Sequence, residues 1–140
     1  MKIMIIGSMA FTHEMIKLKD DLIALGHSAD IPMGAEPHMN DKSFVDNLDG
    51  NLEFCIKNDI MRKNFDFISQ HDAVLVINHK RNDIEGYIGV SALMELGVAH
   101  FLRKKIFLLN PVPDFKQHRW AHEVEIMQPI VLNGDLTKIN

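Results

Sequence analysis

The stretch Asp72–Leu109, DAVLVINHKRNDIEGYIGVSALMELGVAHFLRKKIFLL, decides the fold of this chain. Ala73 to Ile77 is an unbroken apolar run of strand length, and so is Lys105 to Leu109 once its leading lysine is set aside. Runs of that kind, with no polar alternation, belong to strands covered on both faces. Between them lie a polar loop closing on Gly86-Tyr87-Ile88-Gly89 and a helix-spaced segment from Val90 to Arg103. Strand, helix and strand in that order make a right-handed crossover between parallel neighbours. Glu95 falls among Leu93, Leu96, Gly97 and Ala99 in the helix, and a carboxylate so close to an apolar face needs a partner or a purpose.

The same alternation extends outward. Lys2 to Ile6 is a buried-type strand ending at Gly7-Ser8, and Thr12 opens a helix that runs to a stop at Gly26. Ser28 to Ile31 offers a short second strand. Pro32 to Gly50, rich in Pro, Gly, Asn and Asp, is longer than an ordinary connection and is expected to be a functional lid or mobile segment. Asn51 to Ser69 returns to helical spacing, with Leu52, Cys55, Ile56, Ile60, Asn64, Phe67 and Ile68 in one stripe. Beyond the central unit, Phe115 to Met127 is expected to be a helix, Pro129 to Leu132 a fifth strand and Gly134 to Ile139 a terminal turn. These elements predict one α/β domain over residues 1–140, a doubly wound parallel sheet of flavodoxin-like order 2-1-3-4-5.

Composition narrows the function. The 140 residues, 46% hydrophobic and 24% charged, suffice for one full core, and a net charge of −4 lacks the basic footprint that nucleic acid or an anionic membrane rewards. The single cysteine, Cys55, excludes an internal disulfide and any CxxC motif, which fits a cytoplasmic setting. MKIMIIGSMAF has the length of a core strand rather than the pattern of a signal peptide. His118 and His122 are four apart on a helix beside Glu123, but no third ligand accompanies them and no metal or other cofactor is expected.

In a sheet of this order ligands gather at the carboxyl ends of the strands, beside the switch between the first and third. Those ends are Gly7-Ser8, the Asn78–Gly89 loop and Asn110. The turn Gly7 to Thr12 presents backbone N–H groups and a hydroxyl to an anion or a sugar, and Phe11 is either a base-stacking ring or core. Asp59 sits on the helix preceding the third strand and could face the same pocket as Glu95. Two carboxylates suit glycosyl transfer, one attacking the anomeric carbon and the other handling the leaving-group proton. The plain alternatives are a solvated Asp59 paired with Lys63, and a Glu95 paired with Lys104, Lys105 or an N–H group.

GSMAFT after the first strand, NDI at residues 58–60, HDAVLVIN, and GYIGVSALMELGVA followed by Lys104-Lys105-Ile106 together resemble the nucleoside 2-deoxyribosyltransferase family, which includes deoxynucleoside 5′-monophosphate N-glycosidases. The resemblance runs from about Ile3 to Leu132. It implies that Glu95 is the nucleophile that attacks C1′ of a deoxyribose, giving a glycosyl-enzyme ester, and that Asp59 assists at the sugar or base. It further implies a base contact from Phe11, a sugar or 5′ wall from Gly7, Ser8, Gly89 and Ser91, and binding roles for Asn78 and Tyr87. A homo-oligomer with shared sites is implied too, with Glu125, Met127 and Gln128 reaching a neighbour's pocket.

The sequence departs from that pattern at named places. Gly89 stands where the transferases carry an Asp, leaving Asp83, Glu85 or Tyr87 from the loop as substitutes. Ala10 and Glu125 stand where the monophosphate hydrolases carry an Arg and a phosphate-binding Ser, which favours a nucleoside over a nucleotide, against the pull of His79, Lys80 and Arg81. The expected activity is cleavage or exchange of the N-glycosidic bond of a 2′-deoxynucleoside. The competing expectations are a non-catalytic nucleotide-binding module and, more distantly, an NAD-cleaving glycosidase.

Overall fold

A computed structural model describes residues 1–140. Its elements in chain order are β1 (Lys2–Gly7), α1 (Thr12–Ala24), β2 (Ser28–Asp30), α2 (Glu36–Asn40), α3 (Leu48–Lys57), α4 (Ile60–Ser69), β3 (Ala73–Ile77), α5 (Val90–Phe101), β4 (Lys105–Leu108), α6 (Arg119–Ile126) and β5 (Ile130–Val131). The five strands form one sheet in the order β2-β1-β3-β4-β5, and every pairing is parallel. The expected α/β fold with flavodoxin-like strand order is therefore present.

The alternation of side chains along each strand divides the core in two. Ile3 and Ile5 of β1, Leu75 and Ile77 of β3, and Phe107 of β4 pack with Met15, Leu18 and Leu22 of α1 on one face. Met4 and Ile6, Val74 and Val76, and Ile106 and Leu108 face the other way, against Ile68 of α4, Leu96 and Ala99 of α5, and Val124 of α6. Ala92 and Ala99 are small and fully covered, so α5 lies close over the sheet. That closeness carries Glu95 of the same helix inward.

Two expectations need correction. Asn51 to Ser69 is not one helix: the chain breaks at Asn58-Asp59, where Asp59 takes a left-handed backbone (φ 49°) and α4 starts afresh. The break turns α3 away from the core, so Leu52 and Ile56 of the expected buried stripe are 61% and 71% exposed, whereas Asn64 and Ile68 of α4 are buried. The long connection after β2 holds α2 and a 3-10 turn over Lys42–Asp46 capped by the Asp41 side chain. The helix expected from Phe115 begins only at Arg119, because Asp114 spends its carboxylate on a turn at Lys116.

Two loop closures shape the strand ends. Gly7 (φ 154°) passes so near β3 that an added Cβ would lie 2.7 Å from the backbone oxygen of Ile77, and an added Cβ at Gly86 (φ 70°) would lie 2.0 Å from that of Pro111. The buried Asn78 side chain donates to the Asn110 carbonyl at 2.7 Å and accepts from its N–H at 2.9 Å. It thus ties the loop after β3 to the loop after β4.

Candidate functional site

The carboxyl ends of β1 and β3 open into a cavity of about 420 Å³ on the face covered by α4 and α5. The turn after β1 supplies Gly7, Ser8 and Met9 to its wall, and the loop before α5 supplies Arg81, Asn82, Tyr87 and Gly89. Helix α5 adds Val90, Ser91, Ala92 and Glu95, and α4 adds Ile60 and Asn64. The opposite wall comes from the segment after β2 and from α3: Met33, Gly34, His38, Val45, Asp46, Leu48, Asn51 and Cys55. Of the residues expected from sequence, Gly7, Ser8, Tyr87, Gly89, Ser91 and Glu95 meet here.

Glu95 dominates the electrostatics. It is 8% exposed, and its Oε2 is buried with no hydrogen-bond partner. The lysines that offered a plain explanation are engaged elsewhere: Lys104 Nζ donates to the Ser69 carbonyl at 2.9 Å and Lys105 Nζ to the Asn140 carbonyl at 2.7 Å. Burial without a partner pushes the Glu95 carboxyl up to about 8. The start of α5 at Val90 lies more than a turn from Glu95, too far for the helix dipole to hold the group ionised.

Arg81 crosses the mouth of the cavity. Its guanidinium donates to Ser8 Oγ at 2.8 Å and to Asp46 Oδ1 at 3.0 Å, and it lies 5.9 Å from the Tyr87 ring centroid. One cation thereby joins the turn after β1, the loop after β3 and the segment after β2. Asn64 fixes the same segment from below, accepting from the Met33 N–H at 2.8 Å and donating to the Met33 carbonyl at 3.2 Å. On the far wall Cys55 Sγ donates to Asn51 Oδ1 at 3.4 Å, and Asn51 Nδ2 lies 3.5 Å from Nε2 of the buried His38.

Five sequence candidates lie outside the cavity wall. Asp59 sits at the α3–α4 break with its side chain 59% exposed, 3.3 Å from the Arg62 guanidinium, so the expected pairing of two carboxylates in one pocket is not formed within this chain. Phe11 is buried in the core on the α1 face, edge-on to His79 at 5.5 Å. Asn78 is consumed by its bonds to Asn110. Met127 packs under α6 against the core, and Gln128 follows it with a left-handed backbone (φ 52°). Of the loop residues considered as substitute acids, Tyr87 lines the cavity, whereas Glu85 is 80% exposed beside Lys80.

His38, Asp46 and Asn51 escaped the sequence reading because nothing in their spacing marks them, and Asn64 was read only as part of a helix stripe. They reach the cavity through the course of the segment after β2 and the α3–α4 break, both tertiary features. His118 occupies the N-cap position of α6 without a side-chain capping bond, its ring 6.1 Å from that of Trp120, and His122 Nδ1 lies 3.2 Å from Glu123 Oε1. No helix is long and apolar enough to cross a membrane. No family model, curated protein or solved structure matches the chain.

Proposed function

We propose that the protein cleaves or exchanges the N-glycosidic bond of a 2′-deoxynucleoside, as a member of the nucleoside 2-deoxyribosyltransferase family. The observation that carries this reading is Glu95: a buried carboxyl with a free oxygen, on the wall of a cavity that also holds Ser8, Tyr87 and Ser91. Burying an unpartnered carboxylate costs stability that a merely structural position would avoid. Its ionised form attacks C1′, the C1′–N bond breaks with its electron pair passing to the base, and a deoxyribosyl ester of Glu95 results. Water or a second base then displaces Glu95 from C1′.

The leaving base needs a proton or a hydrogen-bond donor, and Gly89 has no side chain to supply one. Among the three loop residues considered for that duty, Tyr87 is the one at the wall. Arg81 supports a second reading of the substrate, a deoxynucleoside 5′-monophosphate, because a guanidinium at the cavity mouth suits a phosphate that displaces Asp46. Homo-oligomerisation and a cytoplasmic location complete the proposal. Exposed apolar side chains beside the cavity, Leu48 at 76% and Val90 at 74%, support association of copies there.

The decisive experiment incubates the protein with each deoxynucleoside and each 5′-monophosphate, with and without a second free base, and follows base release and exchange. Turnover in the wild type and its loss by at least about 10³-fold in Glu95→Ala are the expected results. Absence of turnover with every substrate, or equal turnover in Glu95→Ala, overturns the proposal.

A further inference from the structure

We infer that His38 is the anchor of the nucleobase, presenting its Nδ1–H to an acceptor atom on the base, and that Asn51 and Cys55 hold it in the tautomer that can do so. The inference rests on the reading of the cavity as a nucleoside site and adds to it the residue that recognises the leaving group.

The network begins at Cys55. Burial raises its thiol above the ordinary range, so it keeps its proton and donates to Asn51 Oδ1. With its oxygen thus engaged, Asn51 turns its NH₂ toward His38 Nε2, 3.5 Å away. A nitrogen that faces a donor must accept, and burial keeps the imidazole below its usual range and hence neutral at pH 7. The single ring proton therefore resides on Nδ1. That atom is buried and has no partner, in a residue only 4% exposed.

A buried donor left empty is costly unless a ligand fills it. The atom has no accessible surface in the free protein, so the base reaches it as the segment after β2 shifts around the ligand. The ring is braced at 4.9 Å against Phe44, and His38, Asn51 and Cys55 all line the same cavity as Glu95. The cavity thus holds two unpartnered buried polar groups, the Glu95 oxygen on α5 and the His38 nitrogen on α2. A nucleoside offers a partner to each: its anomeric carbon to the carboxylate, and a ring nitrogen or carbonyl oxygen of its base to the imidazole N–H. A hydrogen bond to that acceptor strengthens as the base takes up the electron pair of the breaking bond, so His38 also performs part of the duty that Gly89 leaves vacant.

The test uses the intact protein with ¹⁵N-labelled histidine, titrated separately with adenine, guanine, hypoxanthine, cytosine, uracil and thymine. At least one base is expected to bind, to shift the His38 Nδ1–H resonance, and to lose at least tenfold in affinity in His38→Phe, which keeps the ring packing against Phe44. Asn51→Asp accepts from both neighbours, moves the ring proton to Nε2 and makes Nδ1 an acceptor, so the order of preference among the bases changes. Cys55→Ser keeps the donor to Asn51 and retains the wild-type order. The inference is overturned if no base binds, if His38→Phe binds as tightly as wild type, or if the Nδ1–H resonance stays fixed on binding. Base binding through His38 without any glycosidic turnover would instead remove the catalytic proposal and leave this one standing.

Discussion

At the scale of a single residue, Glu95 carries a pH dependence whose sign follows from its burial. In the unfolded chain its carboxyl returns to the ordinary value of 4.5, whereas in the folded protein burial holds it near 8. The folded state thus binds a proton that the unfolded state has already released. Its stabilising contribution is complete below about pH 4.5, declines as pH rises through the interval to about 8, and is gone above it. The expected loss is roughly 2–3 kcal/mol between pH 5 and pH 8, allowing for relaxation around the charge. Denaturant midpoints of the wild type and of Glu95→Gln at both pH values check this, since the variant lacks the titration and should hold its midpoint. The proposed catalysis runs the other way. Its nucleophile is the ionised form, so on that mechanism kcat/KM should climb with pH along a limb centred near 8, the value for the free protein. A limb near 4.5 would mean that substrate-free Glu95 is hydrated rather than buried.

Among the elements, the start of α5 and the segment after β2 decide how the cavity works. Gly89 is the N-cap of α5 in extended backbone (φ −77°, ψ 169°) and has no side chain to cap it. A Cβ there would meet Tyr87 at 3.7 Å and Ser8 at 3.9 Å, ordinary contacts, so the position accepts a larger residue without distortion. Gly89→Asp should therefore fold, with stability within about 1 kcal/mol of wild type, because an aspartate caps a helix N-terminus well. It should also raise turnover of nucleosides whose bases leave poorly, read as the ratio of rates for good and poor leaving groups in the two proteins. An unchanged ratio would show that the residues already at the wall suffice. Across the cavity, the Arg81–Asp46 ion pair is largely solvent-facing on the Asp46 side and is worth no more than about 1 kcal/mol. That is weak enough for a ligand to compete with it. Asp46→Ala should thus reduce hydrogen-exchange protection over Phe44–Asn47 while sparing β3, and saturating substrate should raise protection over residues 32–50; a segment whose exchange ignores both changes is not a lid.

For the molecule as a whole, the part legible in the sequence is the part governed by local periodicity. The apolar runs Ile3–Ile6, Ala73–Ile77 and Ile106–Leu109 announced strands covered on both sides, and helix-length gaps between them fixed a parallel order. Glu95 was visible for the same reason, as a charge interrupting an apolar helix. His38 and Asn51 were not, because only the path of the chain between β2 and α4 brings them to the cavity. The left-handed Asp59 was equally hidden, since Leu52 and Ile56 keep helical spacing with Ile60 straight through the break. Its consequence is that α3 keeps its apolar side chains turned outward, and α5 presents apolar side chains of its own. Leu48, Leu52 and Ile56 form an exposed row along α3, and Val90, Met94 and Phe101 an exposed row along α5, at 74%, 40% and 82%. Both rows begin at the cavity, where Leu48 and Val90 line the mouth. So much apolar surface in two helix faces is unfavourable in water and suits a contact between copies, which would also shield the mouth from solvent. The wild type should sediment as a species of at least twice the 16.0 kDa chain mass at micromolar concentration. Phe101→Glu combined with Met94→Lys should shift it toward the monomer with little change in thermal stability of the fold, as both side chains are outside the core. Ile23→Glu, exposed at 49% on α1, which covers the face of the sheet opposite α5, serves as the control and should leave the assembly intact. A wild type that sediments as a 16.0 kDa monomer across the concentration range would remove association from the functional proposal.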